Sequence, residues 1–207
     1  MHANHKAVLR IMNKYGLLSQ IRRSKKYQQM GWELHKYANV LNRNFTASGP
    51  NEKWVTDISY IHTAQGVLYL SAIRDIYDNS IVAYKTGTQQ NVRLVLNTIR
   101  QAAKREAIAA ELLLHSDQGF QYTSKAYFTL TQEYGITPSM SRRANCYDNA
   151  PAENFFGILK AECINRQRIS TFDQARMLID NYIHFYNHER IQLKTKLTPL
   201  EKRRQFG

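Results

Sequence analysis

The sequence is poor in cysteine, in negative charge and in long apolar runs, and each shortage excludes something. Cys146 and Cys163 are its only cysteines. They form neither a Cys-x-x-Cys pair nor a zinc-ligand spacing with the histidines, which excludes a disulfide framework and a zinc-finger-like site. A reduced, cytosolic setting is expected. No apolar stretch is long enough to cross a bilayer, and the N-terminal MHANHKAVLRIMNKYG has charges scattered through it, so it is not a signal peptide. No segment repeats and none is of low complexity. Sixteen Asp and Glu face 29 Lys and Arg, a net charge of +13. That imbalance points to an acidic polymer rather than a membrane as the partner. What is present is enough to fold. The 207 residues are 43% hydrophobic, which suits one full domain with a small appendage.

Periodicity divides the chain. Val8, Ile11, Met12 and Tyr15 share one face of a short helix over residues 5–15, stopped by Gly16. Residues 1–53 carry ten Lys and Arg but two Glu, and a lone short amphipathic helix does not fold by itself. The breakers Ser48, Gly49 and Pro50 mark 46–53 as a linker. Beyond it, 53–61, 67–77 and 80–87 read as three strands with tight links, an antiparallel meander. A helix over 91–106, a strand over 112–116, a helix over 124–135, a strand over 136–141 and a helix from Ala150-Pro151 through Ile164 follow. A meander followed by βα units implies an α/β fold: a mixed sheet with helices on both faces, preceded by a short basic helical segment. Thr171 with Gln174 reads as a capping box opening a helix over 170–187, and Thr198-Pro199 starts another.

Three acids occupy telling places. Asp57 lies inside the first strand, where a charge needs compensation. Asp117 directly follows an apolar strand, at the end where open α/β sheets place ligands. Glu153 falls in the first turn of a helix, with 35 residues between it and Asp117. If the strand at 112–116 pairs beside the first, the two aspartates meet. Clustered carboxylates repel, and hard cations relieve that repulsion; oxygen-only ligands favour Mg²⁺ or Mn²⁺ over Zn²⁺. Two such ions about 3.5–4 Å apart can drive phosphodiester chemistry. The same acids also suit plainer roles: a strand-edge acid, a turn former before Gly119, and a residue favoured by the helix dipole. Residue type and spacing leave both readings open.

The flanking segments go further. PNEKWVTDISYI (50–61), LLLHSDQGFQYTS (112–124), SMSRRANCYDNAPAENFFGILKAE (139–162) and YNHERIQLKTKLTPLE (186–201) resemble transposases of the insertion-sequence-three family, relatives of retroviral integrases. The blocks keep the family's order and its Asp–35–Glu spacing, with Lys160 seven residues after Glu153. Residues 4–27 resemble the end of the helical DNA-binding region that precedes such a core. The resemblance implies an RNase-H-like catalytic core over 54–190, after a partial helical DNA-binding region (1–45) and the linker, with a tail at 191–207. It implies that Asp57, Asp117 and Glu153 are catalytic ligands of two Mg²⁺ (or Mn²⁺) ions. It further implies cleavage and strand transfer at insertion-sequence ends, with element ends and target DNA as partners, homo-oligomers pairing two ends, and a bacterial, nucleoid-associated location. Two departures stand out. Ala144 replaces a usual Gly, and fewer helical residues than usual precede the core, so an N-terminally shortened, DNA-binding but inactive form is the alternative expectation.

Helix geometry adds detail. Glu153, Gly157 and Lys160 share one face, since seven residues turn about 700°, while Phe155, Ile158 and Leu159 are expected to face the sheet. A phosphate backbone could approach over Gly157 and meet Lys160; a tolerated glycine and an exposed lysine is the plainer reading. Arg142, Arg143 and Asn149 are further candidates for DNA contact. Asp148 or Asn149 is expected to shape the turn or cap the helix. His115 suits either a carboxylate-orienting or a buried structural role. Asp75 is expected to buttress the sheet, Trp54 to pack, and Tyr186, Asn187 and Arg190 to close the fold or touch DNA.

Overall fold

The computed structural model describes residues 4–17, 35–108, 111–143 and 145–206. The chain divides into two units, Met1–Gly31 and Trp32–Gly207. In the first, helix α1 (His5–Lys14) is capped by Asn4, whose side chain accepts from Lys6 N, and it buries no residue. Gly16, at φ 65°, follows it. The basic segment beyond Leu17, as far as residue 34, lies outside the described residues, as does Ala144.

The second unit holds a five-stranded mixed sheet in the order β3-β2-β1-β4-β5. Strands β1 (Lys53–Thr63), β2 (Gly66–Asp75) and β3 (Ile81–Gly87) form the expected antiparallel meander. Asn79 turns the second link at φ 67°, with Ser80 N donating to Asp78 Oδ1 at 2.7 Å. Helix α2 (Val92–Arg105) then carries the chain across to β4 (Leu113–Ser116), which pairs parallel to β1. Helix α3 (Lys125–Glu133) leads to β5 (Thr137–Met140), parallel to β4. A 3-10 turn, Cys146–Asn149, opens into α4 (Ala150–Glu162) with Pro151 in its first turn. Helices α5 (Phe172–His188) and α6 (Pro199–Arg204) complete the unit.

Alternation along β1 sorts the core into two layers, as the period of two requires. Trp54 and Ile58 join Val95, Ile99, Tyr127 and Leu130 from α2 and α3. Ile61 joins Phe155, Leu159, Ile179 and Ile183 from α4 and α5 on the other face. Asp57 has the parity of Ile61, so it faces the α4 side.

Several local expectations shift. On α4 the buried residues are Ala152, Phe155, Phe156 and Leu159, while Ile158 is half-buried, so the packed face is rotated towards Phe156. At the start of α5, Thr171 Oγ1 caps Gln174 N, but Gln174 returns its bond to Ser170 N. The reciprocal box forms instead at Thr198 and Glu201. Segment 46–53 packs into this unit: Ala47 lies against Leu41, Val55 and Ile76, and Asn51 is buried. The end of the tail docks as well, the Phe206 ring filling the space that a Cβ on Gly49 would need.

That docking closes a buried ionic cluster at the start of β1. Asp75 and Asp78 are fully buried. Arg203, from α6, donates to Asp78 Oδ2 at 2.7 Å, to Asp75 Oδ2 at 3.1 Å, to Asn51 Oδ1 at 2.6 Å and to Glu106. Asp75 also accepts from Asn51 N, Tyr77 N and Trp54 Nε1. Burial works against the charge of Arg203, but the carboxylates, Asp78 foremost, outweigh it and raise its pKa. Burial and then Asp78 also push the Asp75 pKa up, above the usual carboxylate range, and the Asn51 and Tyr77 amides and then Arg203 offset only part of this.

Candidate active site

Strand register brings two of the three acids together. The parallel pairs Lys53↔Leu113, Trp54↔Leu114 and Val55↔His115 run along β1 and β4. Two residues beyond the last pair, on each strand, stand Asp57 and Asp117. Neighbouring strands lie about 4.8 Å apart, so two apolar strands laid side by side are enough to make aspartates distant in sequence into neighbours. Asp57 Oδ1 accepts from Ile58 N at 2.7 Å, and Asp117 Oδ1 from Gly119 N at 2.9 Å. A Cβ at Gly119 would come within 2.9 Å of Asp117 Oδ1 and of Gln121 Oε1, so a larger residue there would displace the Asp117 carboxylate or the Gln121 amide.

The third acid arrives on α4, whose start is held to the sheet by side-chain hydrogen bonds. Asn149 Nδ2 donates to Thr56 O, next to Asp57, at 3.2 Å, and Arg74 Nη1 on β2 donates to Pro151 O. Between these anchors and the rest of the helix, Glu153 stands exposed in the first turn. Asn149 Oδ1 is buried and has no hydrogen-bond partner, and Arg74 is a buried cation in no ion pair among the described residues.

The electrostatics show that these groups converge. The Asp57 pKa is pushed up to about 7, first by burial and then by the charge of Asp117. The Ile58 N–H opposes the shift, Glu153 adds to it, and Lys160 pulls it back. Asp117 reaches solvent, yet the protein around its carboxylate raises its pKa too, against the Gly119 N–H. Beneath both, Tyr122 is kept a neutral phenol by burial and by the two aspartates; its hydroxyl lies 3.4 Å from Thr56 Oγ1. Among the described residues no Lys or Arg reaches ion-pair distance of Asp57, Asp117 or Glu153. Nor, among them, is any group of three His, Cys, Asp or Glu side chains already close enough to hold one ion. The donor set still fits a hard divalent cation. All its ligand atoms are carboxylate oxygens, no protein cation neutralises them, and ionising the innermost one is costly while the site lacks a counter-charge.

The other candidates separate by position. Lys160 is half-buried and Gly157 exposed on the face of Glu153, and a Cβ at Gly157 would meet nothing within 4 Å. Arg143 is exposed. Arg142 is committed: its N, Nε and Nη2 all bond Asp148, which also accepts from Arg43 Nε and Asn39 Nδ2. Asp148 is fully buried, and the Arg142 side chain, followed by burial acting in opposition, holds its pKa below the usual carboxylate range. It therefore organises the loop ahead of α4. Asn149 is 4% exposed and sits inside the fold rather than on a surface open to DNA; it occupies the helix N-cap position without a side-chain capping bond. His115 is fully buried between Ser139 Oγ (2.8 Å) and Ser141 Oγ (3.0 Å), and burial lowers its pKa to about 4, which makes it a neutral structural histidine. Tyr186 is buried, Asn187 exchanges both amide bonds with Ile81, and Arg190 pairs with Glu162, so this trio closes the fold.

Two anchors of α4 escaped sequence reasoning. Arg74 left one signal, a charge within the otherwise apolar run VLYLSAIRDIY. Asn149 left none that distinguished an inward from an outward side chain.

Comparison with known proteins agrees with this geometry. The integrase core domain family matches residues 47–146, and a second integrase core domain family matches 153–206. An uncharacterized transposase-like protein of Haemophilus influenzae is 45% identical over 203 residues, 98% of this chain and 94% of that protein. The transposase InsF for insertion sequence IS3A of Escherichia coli is 31% identical over 183 residues, 87% of this chain and 63% of that one. The chain belongs to the insertion-sequence-three family of transposases. As a member it is a polynucleotidyl transferase of DNA transposition and recombination. Solved structures place this transposase in the RNase-H-like integrase fold. A simian T-cell lymphotropic virus intasome chain aligns over 97% of it and 67% of that chain, with a TM-score of 0.67 at 15% identity. The HTLV-2 integrase catalytic core domain, solved in complex with magnesium, aligns over 76% of it and 99% of that chain, with a TM-score of 0.59 at 16% identity.

Proposed function

We propose that this transposase cleaves DNA strands at the ends of an insertion sequence and transfers them, using Asp57, Asp117 and Glu153 to hold two Mg²⁺ (or Mn²⁺) ions. The observation that carries this reading is a group of converging carboxylates with no protein cation paired to them, the innermost holding its proton up to about pH 7. A bound ion pair would supply Lewis-acid activation of a water or a 3′-hydroxyl and stabilise the leaving 3′ oxygen. The protein's own groups do the rest. Asp57 and Asp117 are fixed by strand register and by the Ile58 and Gly119 amides. Asn149 and Arg74 hold the first turn of α4, and with it Glu153, against β1 and β2; Asn149 is thus a positioning residue and not a DNA contact. Lys160 and Arg143 offer charge to phosphates, Gly157 leaves the backbone path open between Glu153 and Lys160, and Arg142 stiffens the loop through Asp148. No covalent intermediate on the enzyme is needed. The partners are the element's ends and a target duplex, and joining two ends calls for more than one copy of the chain. The setting is the bacterial cytoplasm, at the nucleoid.

The deciding experiment is a Mg²⁺-dependent cleavage and strand-transfer assay on cognate ends, with Asp57→Asn beside the parent. The variant is expected to bind DNA and do neither reaction; strand transfer retained by Asp57→Asn would overturn the assignment.

A further inference from the structure

The outer face of α2 is unlike the other long helices. Arg93, Asn97, Arg100 and Lys104 lie at spacings of four, three and four, within an arc of about 60° and along about 16 Å of helix. Arg93, Arg100 and Lys104 are exposed, and Arg100 Nη1 donates to Asn97 Oδ1 at 3.4 Å. There is no acid anywhere in α2, and none of the three cations is in an ion pair among the described residues. The nearest acid in sequence, Glu106, is taken by Arg203 and Asn51. Helix α5 is the internal contrast. Its outer face mixes signs, with Arg176 paired to Asp173 at 2.5 Å and His184 near Glu189. A face that merely keeps a helix soluble is normally of mixed sign, as on α5. A row of cations of one sign, in no ion pair among the described residues, is the footprint of nucleic acid.

Position sharpens this. Helix α2 packs through Val95, Leu96, Ile99 and Ala102 on one face of the sheet, while α4, which carries Glu153, packs on the other. A phosphodiester lying over Asp57 and Asp117 is therefore on the opposite side of the sheet from Arg93, Arg100 and Lys104.

We propose that Arg93, Asn97, Arg100 and Lys104 form a second DNA track, gripping the phosphates of a duplex other than the one being cut. The proposal rests on the transposase reading given above. Strand transfer joins two DNAs, and a track of phosphate contacts alone suits the partner whose sequence is not read.

The test combines Arg93→Gln, Arg100→Gln and Lys104→Gln in one full-length variant, with Arg176→Gln on α5 as the control and thermal melting to check folding. Binding to a random-sequence duplex is measured between 50 and 200 mM salt, at about 0.9 units of log–log slope per phosphate contact. The triple variant is expected to flatten the slope by about 2–3 units, while Arg176→Gln leaves it unchanged. Cleavage of a short cognate end should stay near the parental rate, and transfer into a separate duplex should fall about tenfold or more. An unchanged slope with unchanged transfer overturns the proposal. So does an unchanged slope with a changed oligomeric state in sedimentation, which would make the face a contact with a second copy. Cleavage falling together with transfer would mean that the gripped duplex is the one being cut, and would also overturn it. If the parent itself shows no metal-dependent cleavage, the transposase reading fails first; if the parent cleaves and Asp57→Asn does not, any of these failures concerns α2 alone.

Discussion

This protein gathers carboxylates in two places, and it treats them in opposite ways. At the start of β1, Asp75, Asp78 and Glu106 are drawn onto one guanidinium, that of Arg203, with Asn51 and Trp54 completing the hydrogen bonds. A few residues further along the same strand, Asp57, Asp117 and Glu153 converge with no arginine or lysine bonded to them among the described residues; Lys160, which pulls the Asp57 pKa down, acts at a distance. The first cluster is closed by the protein's own charge and is structural. The second is left open among the described residues, and an open set of carboxylate oxygens is chemistry that suits a hard divalent cation. Type and count of acids are the same in both, so the difference lies entirely in whether the chain delivers a counter-charge.

Four measurements break or sharpen that contrast. The largest effect is expected at the open cluster, where Asp57→Asn should lower cleavage by about three orders of magnitude or more while DNA binding persists, read in a gel-based end-cleavage assay. At the closed cluster, Arg203→Met should strand two buried acids and the half-buried Glu106 without their cation, at a cost of about 3–5 kcal/mol. This should lower Tm by about 10 °C in calorimetry, with Mg²⁺ giving no more recovery than it gives the parent. A parental Tm for Arg203→Met would erase the distinction between the clusters. Asn149→Ala is next. Losing the bond to Thr56 should loosen α4 against β1 and raise the Mg²⁺ concentration needed for half-maximal thermal stabilisation by about 10–100-fold. A variant that melts lower but keeps the parental Mg²⁺ midpoint would make Asn149 merely structural.

The smallest effect is a pH dependence. The Asp57 carboxyl holds its proton to about pH 7 in the folded chain, against a usual 3.8. The folded state therefore binds that proton more tightly than the unfolded state does. The stability it lends is complete below pH 4 and is lost as pH rises through 7. In metal-free buffer Asp57→Asn should thus melt above the parent at pH 8 and level with it at pH 4. Saturating Mg²⁺ should narrow the gap at pH 8. An equal Tm difference at both pH values would show that the charge on Asp57 is not what the fold resists.

The positions of the open cluster were legible in the sequence, but residue type and spacing left its role open and only the matched blocks around the three acids favoured a metal site. Asp57 interrupts a β-rich run, Asp117 ends an apolar strand, and parallel pairing of two such strands is what a meander followed by βα units produces. The closed cluster was not legible. Arg203 lies 152 residues from Asn51 and 128 from Asp75, and nothing in LTPLEKRRQF distinguishes it from its basic neighbours. For the same reason segment 46–53 read as a linker: its breakers are real, but Asn51 and Ala47 are held by residues that sequence does not place beside them. Asp148 read as a turn former or helix cap, yet it became the hub for Asn39, Arg43 and Arg142, two of which come from more than a hundred residues away. On α4, a cap residue and a DNA contact have the same spelling, and only burial told Asn149 apart.

The docking of α6 also has a consequence in time. The cation that settles Asp75 and Asp78 is synthesised 128 and 125 residues after them, at a rate of about 5–20 residues per second. Until it emerges, the strand that carries Asp57 begins beside two buried, uncompensated acids, and the sheet beneath the cutting site is unfinished. A nascent chain is therefore expected to be a poor nuclease until α6 has emerged and docked.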